Sequence, residues 1–309
     1  MIPHELPGNI FMQPWWLDIV APGQWEDIRI EKGGDIFARW PIVLRKEKGF
    51  RFIEMPVLTQ KLGPWIKQTS SKHETIHNTE RSMLKKLIKK IPSFDKFNYN
   101  LDADVINYLP FIWEGFSQNS LTTFQVQAPI DTKQTWKNLN SAVRRDIRRA
   151  EESLEVIIGL SSDELYNMIS ATFERQGLKV PYSRGLLYDL YNEASSRERA
   201  TIVGAKDNKG VLHAAEVFLH DDKTTYYLAG GFDSESEVPG AVSLVLWEGI
   251  KEAQKRGNTF DFEGSSIKSI ERYFSSFGSK PVHFHHIQGI SKKYAPFYYA
   301  KQFIKKMKQ

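Results

Sequence analysis

The chain has 309 residues, 41% of them hydrophobic and 13% aromatic, enough to bury a large core and most simply divided into two domains of about 150 residues each. It contains no cysteine, which excludes a disulfide framework, a thiolate nucleophile and any cysteine-ligated zinc or iron–sulfur centre, and fits a cytoplasmic protein. A balance of 42 basic against 37 acidic residues gives a net charge of +5 and a pI near 9.1, a mild, dispersed basicity that does not point to DNA.

The opening MIPHELPGNIFMQPWW has no basic region followed by an apolar run and a small-residue cleavage site, so no secretory signal is expected. No apolar stretch approaches the roughly 18 residues that would span a membrane. Gly34 to Leu44 and Phe50 to Met55 read as a hairpin across Lys46 to Gly49, followed by a proline-rich loop, Pro56 to Pro64. Next come an amphipathic helix over Glu74 to Ile91, ending in Lys85, Lys86, Lys89 and Lys90, and a strand near Phe94 to Asn98. The lysines read as a solvated helix end that complements the helix dipole. A helix begun near Asp131 or Thr132 carries Arg144, Arg145, Arg148 and Arg149 in two adjacent rows, either a solvated face or a clamp for phosphate.

The second half repeats this grammar. A strand over Leu154 to Ile158 leads to helices over Ser162 to Gln176 and Ser183 to Ala194, and strands over Ala200 to Ala205 and Leu212 to Leu219 pair across Asp207 to Gly210. A third strand runs to Leu228 and stops at Gly230-Gly231, where the backbone can turn freely. Pro239 and Gly240 open a helix with apolar residues at three- and four-residue spacing, Val242, Val245, Leu246, Ile250 and Ala253, closed by Gly257. A strand over Thr259 to Phe262 and a short helix over Ile267 to Phe277 come next. In both halves a Lys/Arg-ended helix leads into an aromatic–Asp strand, Phe94-Asp95-Lys96-Phe97 and Phe260-Asp261-Phe262, which reads as a structural tandem duplication. The expected domains are 1–152 and 153–309. The tail, with Lys301, Lys305, Lys306 and Lys308 among Phe303, Ile304 and Met307, reads as a closing helix, with a weak contact to an anionic membrane surface as the minority alternative.

The runs YYLAGGFD, PGAVSLVLWEGIKEA, FDFEGS and IERYFSSFG resemble the carboxyl-terminal half of the FemA/FemB-like branch of the GNAT acyltransferase superfamily, and PWWLD, MPVLTQKLGPW and VRRDIRRA resemble its partner domain. The resemblance implies a mixed α/β (α+β) fold of two tandem GNAT-like domains, each a twisted mixed sheet flanked by helices. The first would be degenerate and on the acceptor side, the second the donor and catalytic side. It implies an acyltransferase that moves an acetyl or other acyl group from acetyl-coenzyme A or another acyl-coenzyme A to an amine. The nearest group is linked with cell-surface polysaccharide and cell-wall synthesis, which makes an amino sugar or nucleotide-sugar the expected acceptor. An aminoacyl-tRNA-dependent peptidyltransferase acting on a peptidoglycan precursor is the runner-up. It ranks lower because Phe274 stands where such relatives carry lysine and because the chain lacks their long charged insertion. A non-catalytic tandem-GNAT binding module is the third reading.

The chemistry that this reaction needs can be matched to residues. Backbone N–H groups at Leu228 to Gly230 can stabilise a developing oxyanion, and Val238, Gly240, Ala241 and Ser243 at a helix start can receive a carrier's diphosphate. Family members that bind coenzyme A usually carry a longer glutamine- or arginine-led glycine motif, of which only Pro239-Gly240-Ala241 stands here. Glu263 is the expected base, with Asp261 orienting it, and Tyr273 of the neighbouring motif joins them as a candidate catalytic residue. The bland alternative is that Glu263 or Asp261 caps the helix beginning near Ser266 or pairs with Arg272. Arg39, Trp40, Tyr182 and Arg184 are expected to bind the acceptor, a convergence that rests on the resemblance. No metal site is expected: His283 and His285 share a strand face, but no third ligand is spaced to join them.

Overall fold

The computed structural model describes residues 5–68, 72–233, 238–264 and 267–307. The chain enters through a 3-10 turn (Ile10–Met12) and α1 (Pro14–Val20), then forms β1 (Trp25–Lys32), β2 (Asp35–Glu47), β3 (Phe50–Glu54), β4 (Trp65–Ile66), α2 (His73–Lys90), β5 (Lys96–Asn100), α3 (Leu109–Trp113) and β6 (Ser117–Val126). The middle of the chain forms α4 (Thr132–Asn138), α5 (Ser141–Ser153), β7 (Leu154–Ile158), α6 (Ser162–Arg175), α7 (Arg184–Ser196), β8 (Ala200–Asp207), β9 (Leu212–His220) and β10 (Thr224–Phe232). The last elements are α8 (Ala241–Arg256), β11 (Thr259–Asp261), α9 (Lys268–Ser275), β12 (Lys280–Ile290) and α10 (Ala295–Met307). Of the expected helix start near Ser266, residues 265–266 lie outside the described residues.

Two compact units divide the chain, one formed by Thr122–Val282, the other by the preceding chain up to Leu121 together with the chain from His283 onward. The expected division at 152/153 therefore lies elsewhere. Val143, Ile147 and Ala150 of α5 are buried in one cluster with Val245, Leu246, Trp247 and Ile250 of α8, so the arginine-rich helix belongs with the elements C-terminal to it. A charge-rich stretch looks like a joint in sequence, but apolar burial decides the boundary.

In the unit containing the N-terminal chain, the strand order is β1-β2-β3-β5-β12, with β4 on β2. The hairpin of β2 and β3 is antiparallel, whereas β3 and β5 run parallel with α2 as the crossover. Leu84, Leu87 and Ile88 of α2 are buried, leaving its lysines at the exposed side. Trp40 forms the centre of this core, in edge-to-face contact with Phe97, Tyr99 and Phe111. The sequence reading omits α1, β1, β4, α3 and β6.

In the unit formed by residues 122–282, the order is β6-β11-β10-β9-β8-β7. Again one pair is parallel, β10 with β11, and α8 is its crossover, so the repeated grammar corresponds to a repeated strand–helix–strand plan. Mixed sheets flanked by helices are the fold class expected from the sequence. The helix expected to begin near residue 131 is two helices: α4 ends at Asn138, and Asn140 caps α5 by accepting the Ala142 N–H. Arg144 donates to the carbonyls of Lys137 and Leu139, both at 2.7 Å, which holds it at the end of α4. Every residue of α8 from Ser243 to Trp247 is buried, and truncating one of them, Leu246 for example, to alanine should cost about 2–5 kcal/mol.

Candidate active site

The site is built on β10. Its sequence, TTYYLAGGF, is β-branched and aromatic at the start and glycine-rich at the end. The glycines do not stop the strand, as the sequence suggests; β10 continues through Gly230 and Gly231 to Phe232, paired with Glu216, Ala215 and Ala214 of β9. They are present because neighbours come close. A Cβ on Gly231 would run into the backbone of Met168 in α6, and one on Gly230 would lie 2.7 Å from Glu216 Cγ and 3.0 Å from Tyr227 Oη.

Two features free backbone groups on this strand. Tyr227 pairs with Phe218 and Ala229 with Val217, so Leu228 has no opposite residue and forms a bulge. On the other edge, β11 pairs only with Thr224, Thr225 and Tyr226. Beyond Tyr226 the parallel strands part, and no strand among the described residues pairs with that edge of β10. The stretch from Tyr227 to Gly230 thus has one edge with no ladder partner among the described residues, the setting in which strand N–H groups can meet an oxyanion.

Beside this opening begins α8. Its N-cap is Gly240, at φ 89°, with no side-chain cap and no acidic residue in the first turn. Only glycine fits there, since a Cβ would strike the carbonyl of Asp146 in α5. With no side-chain cap at Gly240, the positive end of this 16-residue helix is a receptive place for a diphosphate. Ala241 and Ser243 are buried at this end, and Ser243 Oγ lies 2.7 Å from Tyr273 Oη of α9. Val238 packs against the same core.

The most unusual group is Glu216, at the middle of β9. It is 1% exposed, its Oε2 has no hydrogen-bond partner among the described residues, and burial raises its pKa well above the ordinary carboxylate value. Around it stand phenols. Tyr227 is pushed up by burial, then by Glu216, Tyr273 and Tyr182. Tyr273 is raised by burial and, in smaller measure, by Glu216 and Asp146, against the lowering effect of the Ser243 hydrogen bond. Tyr182 is pushed up to about 12 by burial and by Tyr166. All three remain protonated at neutral pH and can donate.

The expected acids have different environments. Asp261 is fully buried, and its carboxylate accepts from Thr123 Oγ1, from Gln125 Nε2 at 2.8 Å and from the Glu263 N–H at 2.8 Å. It anchors the backbone of Glu263, at whose position the chain turns with φ 64°, a left-handed conformation that costs a non-glycine residue about 1–2 kcal/mol. Glu263 is half-buried.

Of the four expected acceptor-binding residues, two are interior. Arg39 is fully buried in the other unit, bound to Asp27, to the Pro7 carbonyl at 2.9 Å and to the Met12 carbonyl at 2.8 Å. Trp40 is also fully buried, and its indole N–H donates to the Leu62 carbonyl at 2.8 Å. Neither has a face left for a ligand: a cation in a strand can be held inside when carboxylate and carbonyls satisfy it, which sequence alone does not disclose. Arg184 is exposed and tied to Asp163 at 2.8 Å and to Asn167 at 2.6 Å on α6. Tyr182 lies near the Glu216 cluster.

Residues 137–274 match the family model described as the acetyltransferase (GNAT) domain. The chain carries a GNAT domain. This GNAT domain, just under half of the chain, contains the β10 bulge, the start of α8, Glu216, Asp261, Glu263 and Tyr273. Over most of its length the chain is similar to solved structures, among them FemX, at 12% identity and a TM-score of 0.69, covering 91% of this chain and 92% of that one. It is also similar to the C-terminal domain (DUF2156) of a putative lysylphosphatidylglycerol synthetase from Agrobacterium fabrum, at 9% identity and a TM-score of 0.53, covering 89% and 87%. L-PGS from Bacillus licheniformis matches at 10% identity with a TM-score of 0.53, covering 89% and 86%. At such identities the likeness is one of fold, and it agrees with the FemA/FemB-like GNAT branch named from the motifs. No curated protein sequence matches the chain.

Glu216 and Tyr227 were missed by the sequence reading of this GNAT domain. The signal was present: every residue of β9 from His213 to His220 is buried, and in HAAEVFLH a lone glutamate interrupts an otherwise largely apolar run. A fully buried strand that keeps a carboxyl uses it or pairs it.

Proposed function

We propose that the protein is an N-acyltransferase that moves an acetyl or other acyl group from an acyl-coenzyme A to an amine. The acceptor class favoured by the motifs is an amino sugar or nucleotide-linked sugar of cell-surface polysaccharide or cell-wall synthesis. One observation carries the reading: β10 and β11 part after Tyr226 beside the uncapped start of α8, with a bulge at Leu228 in the opened strand. A thioester carbonyl in that opening meets N–H groups of Leu228 to Gly230, which stabilise the charge that develops on its oxygen. The carrier's diphosphate meets the first turn of α8, between Val238 and Ser243. Tyr273, kept protonated by burial and held by Ser243, gives its proton to the departing sulfur. Glu263, fixed by Asp261, stands at the end of β11 where the strands part.

An aminoacyl-tRNA donor is the second reading admitted by the sequence resemblance. Against it stands Phe274, which fills the position of a lysine in such relatives and is 6% exposed, stacked on Phe262 with ring centroids 4.9 Å apart. No cation is available there.

The test is thermal unfolding with and without acetyl-coenzyme A. The wild type should gain about 2.7 kcal/mol of stability at a ligand concentration 100-fold above Kd. Val242→Asp places a carboxylate in the first turn of α8 on a partly buried side chain that packs against the core, where the helix dipole offsets part of the burial and a diphosphate is repelled. It should abolish the gain with the circular dichroism spectrum retained. A wild type indifferent to acetyl-coenzyme A and to other acyl-coenzyme A thioesters would sink the proposal.

A further inference from the structure

We infer that Glu216 is the proton acceptor of an amine subsite in which the acceptor enters as its ammonium ion, faced by the phenols of Tyr182, Tyr227 and Tyr273. The inference rests on the acyltransferase reading and adds the residue that deprotonates the nucleophile and the charge class of the acceptor.

The geometry is local and specific. Glu216 pairs with Gly230 on β10, immediately past the Leu228 bulge, and its Cγ lies over the Cα of that glycine because no side chain is there. The carboxyl therefore sits beside the stretch of strand where the oxyanion donors are. Its Oε2 is without a partner among the described residues while the whole residue is 1% exposed. A structural carboxyl so deeply buried ordinarily has each oxygen hydrogen-bonded, as Asp261 does. An unpartnered one is unfavourable, and a bound donor would relieve it.

The surroundings select a cation. The titratable groups within electrostatic reach are Tyr227 on β10, Tyr273 on α9 and, through those phenols, Tyr182 before α7 and Asp146 on α5. None is cationic. Tyr166 on α6 raises Tyr182 in turn. Two carboxyls and phenols with no cation among them favour an ammonium ion, whereas an acidic acceptor would be repelled.

Protons and electrons balance across the transfer. Binding of the ammonium drives the proton of Glu216 out to solvent, and in the closed, dry site the resulting ion pair collapses to neutral amine and carboxylic acid, because burial holds the carboxyl pKa high. The nitrogen lone pair forms the C–N bond at the thioester carbonyl, and the C–S bond breaks with its electrons going to sulfur. Sulfur takes the Tyr273 proton. The second nitrogen proton leaves the product amide and returns, through the phenols, to Tyr273, and Glu216 keeps its own until the next ammonium binds, so that one proton is released per turnover.

The experiment uses the full chain, acetyl-coenzyme A, and n-butylamine as the probe acceptor. Released thiol can be read directly, since the protein has no cysteine of its own. Glu216→Gln should keep the thermal shift produced by acetyl-coenzyme A, lose at least about 100-fold in amine-dependent thiol release, and lose the ascending limb of the pH profile. Glu216→Asp should restore part of both and serves if the glutamine variant fails to fold. In parallel, protein labelled with 13C at glutamate carboxyls should show one high-titrating signal, absent from Glu216→Gln, that shifts with n-butylammonium chloride. A signal indifferent to n-butylammonium overturns the subsite. A Glu216→Gln enzyme with wild-type rate and profile overturns the proton acceptor, and loss of the limb in Glu263→Gln would transfer that role to Glu263. If acetyl-coenzyme A gives no thermal shift while the Glu216 signal responds to n-butylammonium, the donor reading fails and the amine subsite stands.

Discussion

Glu216 and Gly230 are register partners on β9 and β10, and the side chain of the first occupies the space that a Cβ on the second would need, 2.7 Å from Glu216 Cγ. Gly230→Ala should therefore displace Glu216 and cost about 1–3 kcal/mol, the usual range for overpacking. Combined with Glu216→Ala, which vacates the space, the two changes should cost less than their sum. A double-mutant cycle by urea unfolding measures this, and strict additivity would contradict the contact.

The ionisation of Glu216 should be visible in stability. Its folded pKa is raised well above the ordinary value of 4.5 by burial. Between those two values the folded protein holds a proton that the unfolded chain has released, so stability falls as pH rises through that window. Glu216→Gln cannot ionise, and its stability relative to wild type should grow as pH increases from 4.5 upward. Parallel curves for the two proteins from pH 4.5 to 8 would refute the assignment.

His220 has the opposite sign. It is fully buried between Thr201 and Thr225, each 3.1 Å from a ring nitrogen. Its pKa is lowered from 6.5 to about 3 by burial, helped by Arg256 and Arg199. The unfolded chain takes up a proton below pH 6.5 that the folded protein refuses, so this contribution is fully present above 6.5 and is lost as pH falls toward 3. The slope is at most about 1.4 kcal/mol per pH unit. Calorimetry between pH 4.5 and 7.5 should give a shallower acid loss for His220→Gln than for wild type.

Gly231 and Gly240 should tolerate no side chain. A Cβ at Gly231 meets the backbone of Met168, and one at Gly240 meets the backbone of Asp146 at φ 89°. Neither obstacle can rotate away as the Glu216 side chain can. Alanine at either should cost more than at Gly230, about 3 kcal/mol or above, and equal melting temperatures for all three alanine variants would contradict this.

Much of the domain around the site was legible in the chain. The apolar spacing of α8 between Gly240 and Gly257 reflects helical period and glycine termini, and β7 to β9 are marked by short apolar runs between turn residues. Asp261 and Tyr273 drew notice as candidates because they stand in motif segments. What misled was local reasoning about residues whose meaning is non-local. Gly230-Gly231 looks like a stop but is a close approach to Glu216 and Met168. Arg39 looks like a ligand for phosphate but is consumed by Asp27 and two carbonyls.

The sequence by itself determined the mixed α/β class, the strand–helix–strand plan in each half, and the glycine-opened helix beside the candidate donor site, because period, capping and turn chemistry act over a few residues. Only the tertiary structure decided where the units divide, that β10 bulges at Leu228 and parts from β11, and that Glu216 lies buried among phenols from β10, α9 and the loop before α7. Those depend on register and on contacts between residues far apart in the chain, and the free energy of a buried carboxyl is set by what surrounds it in space rather than by its neighbours in sequence.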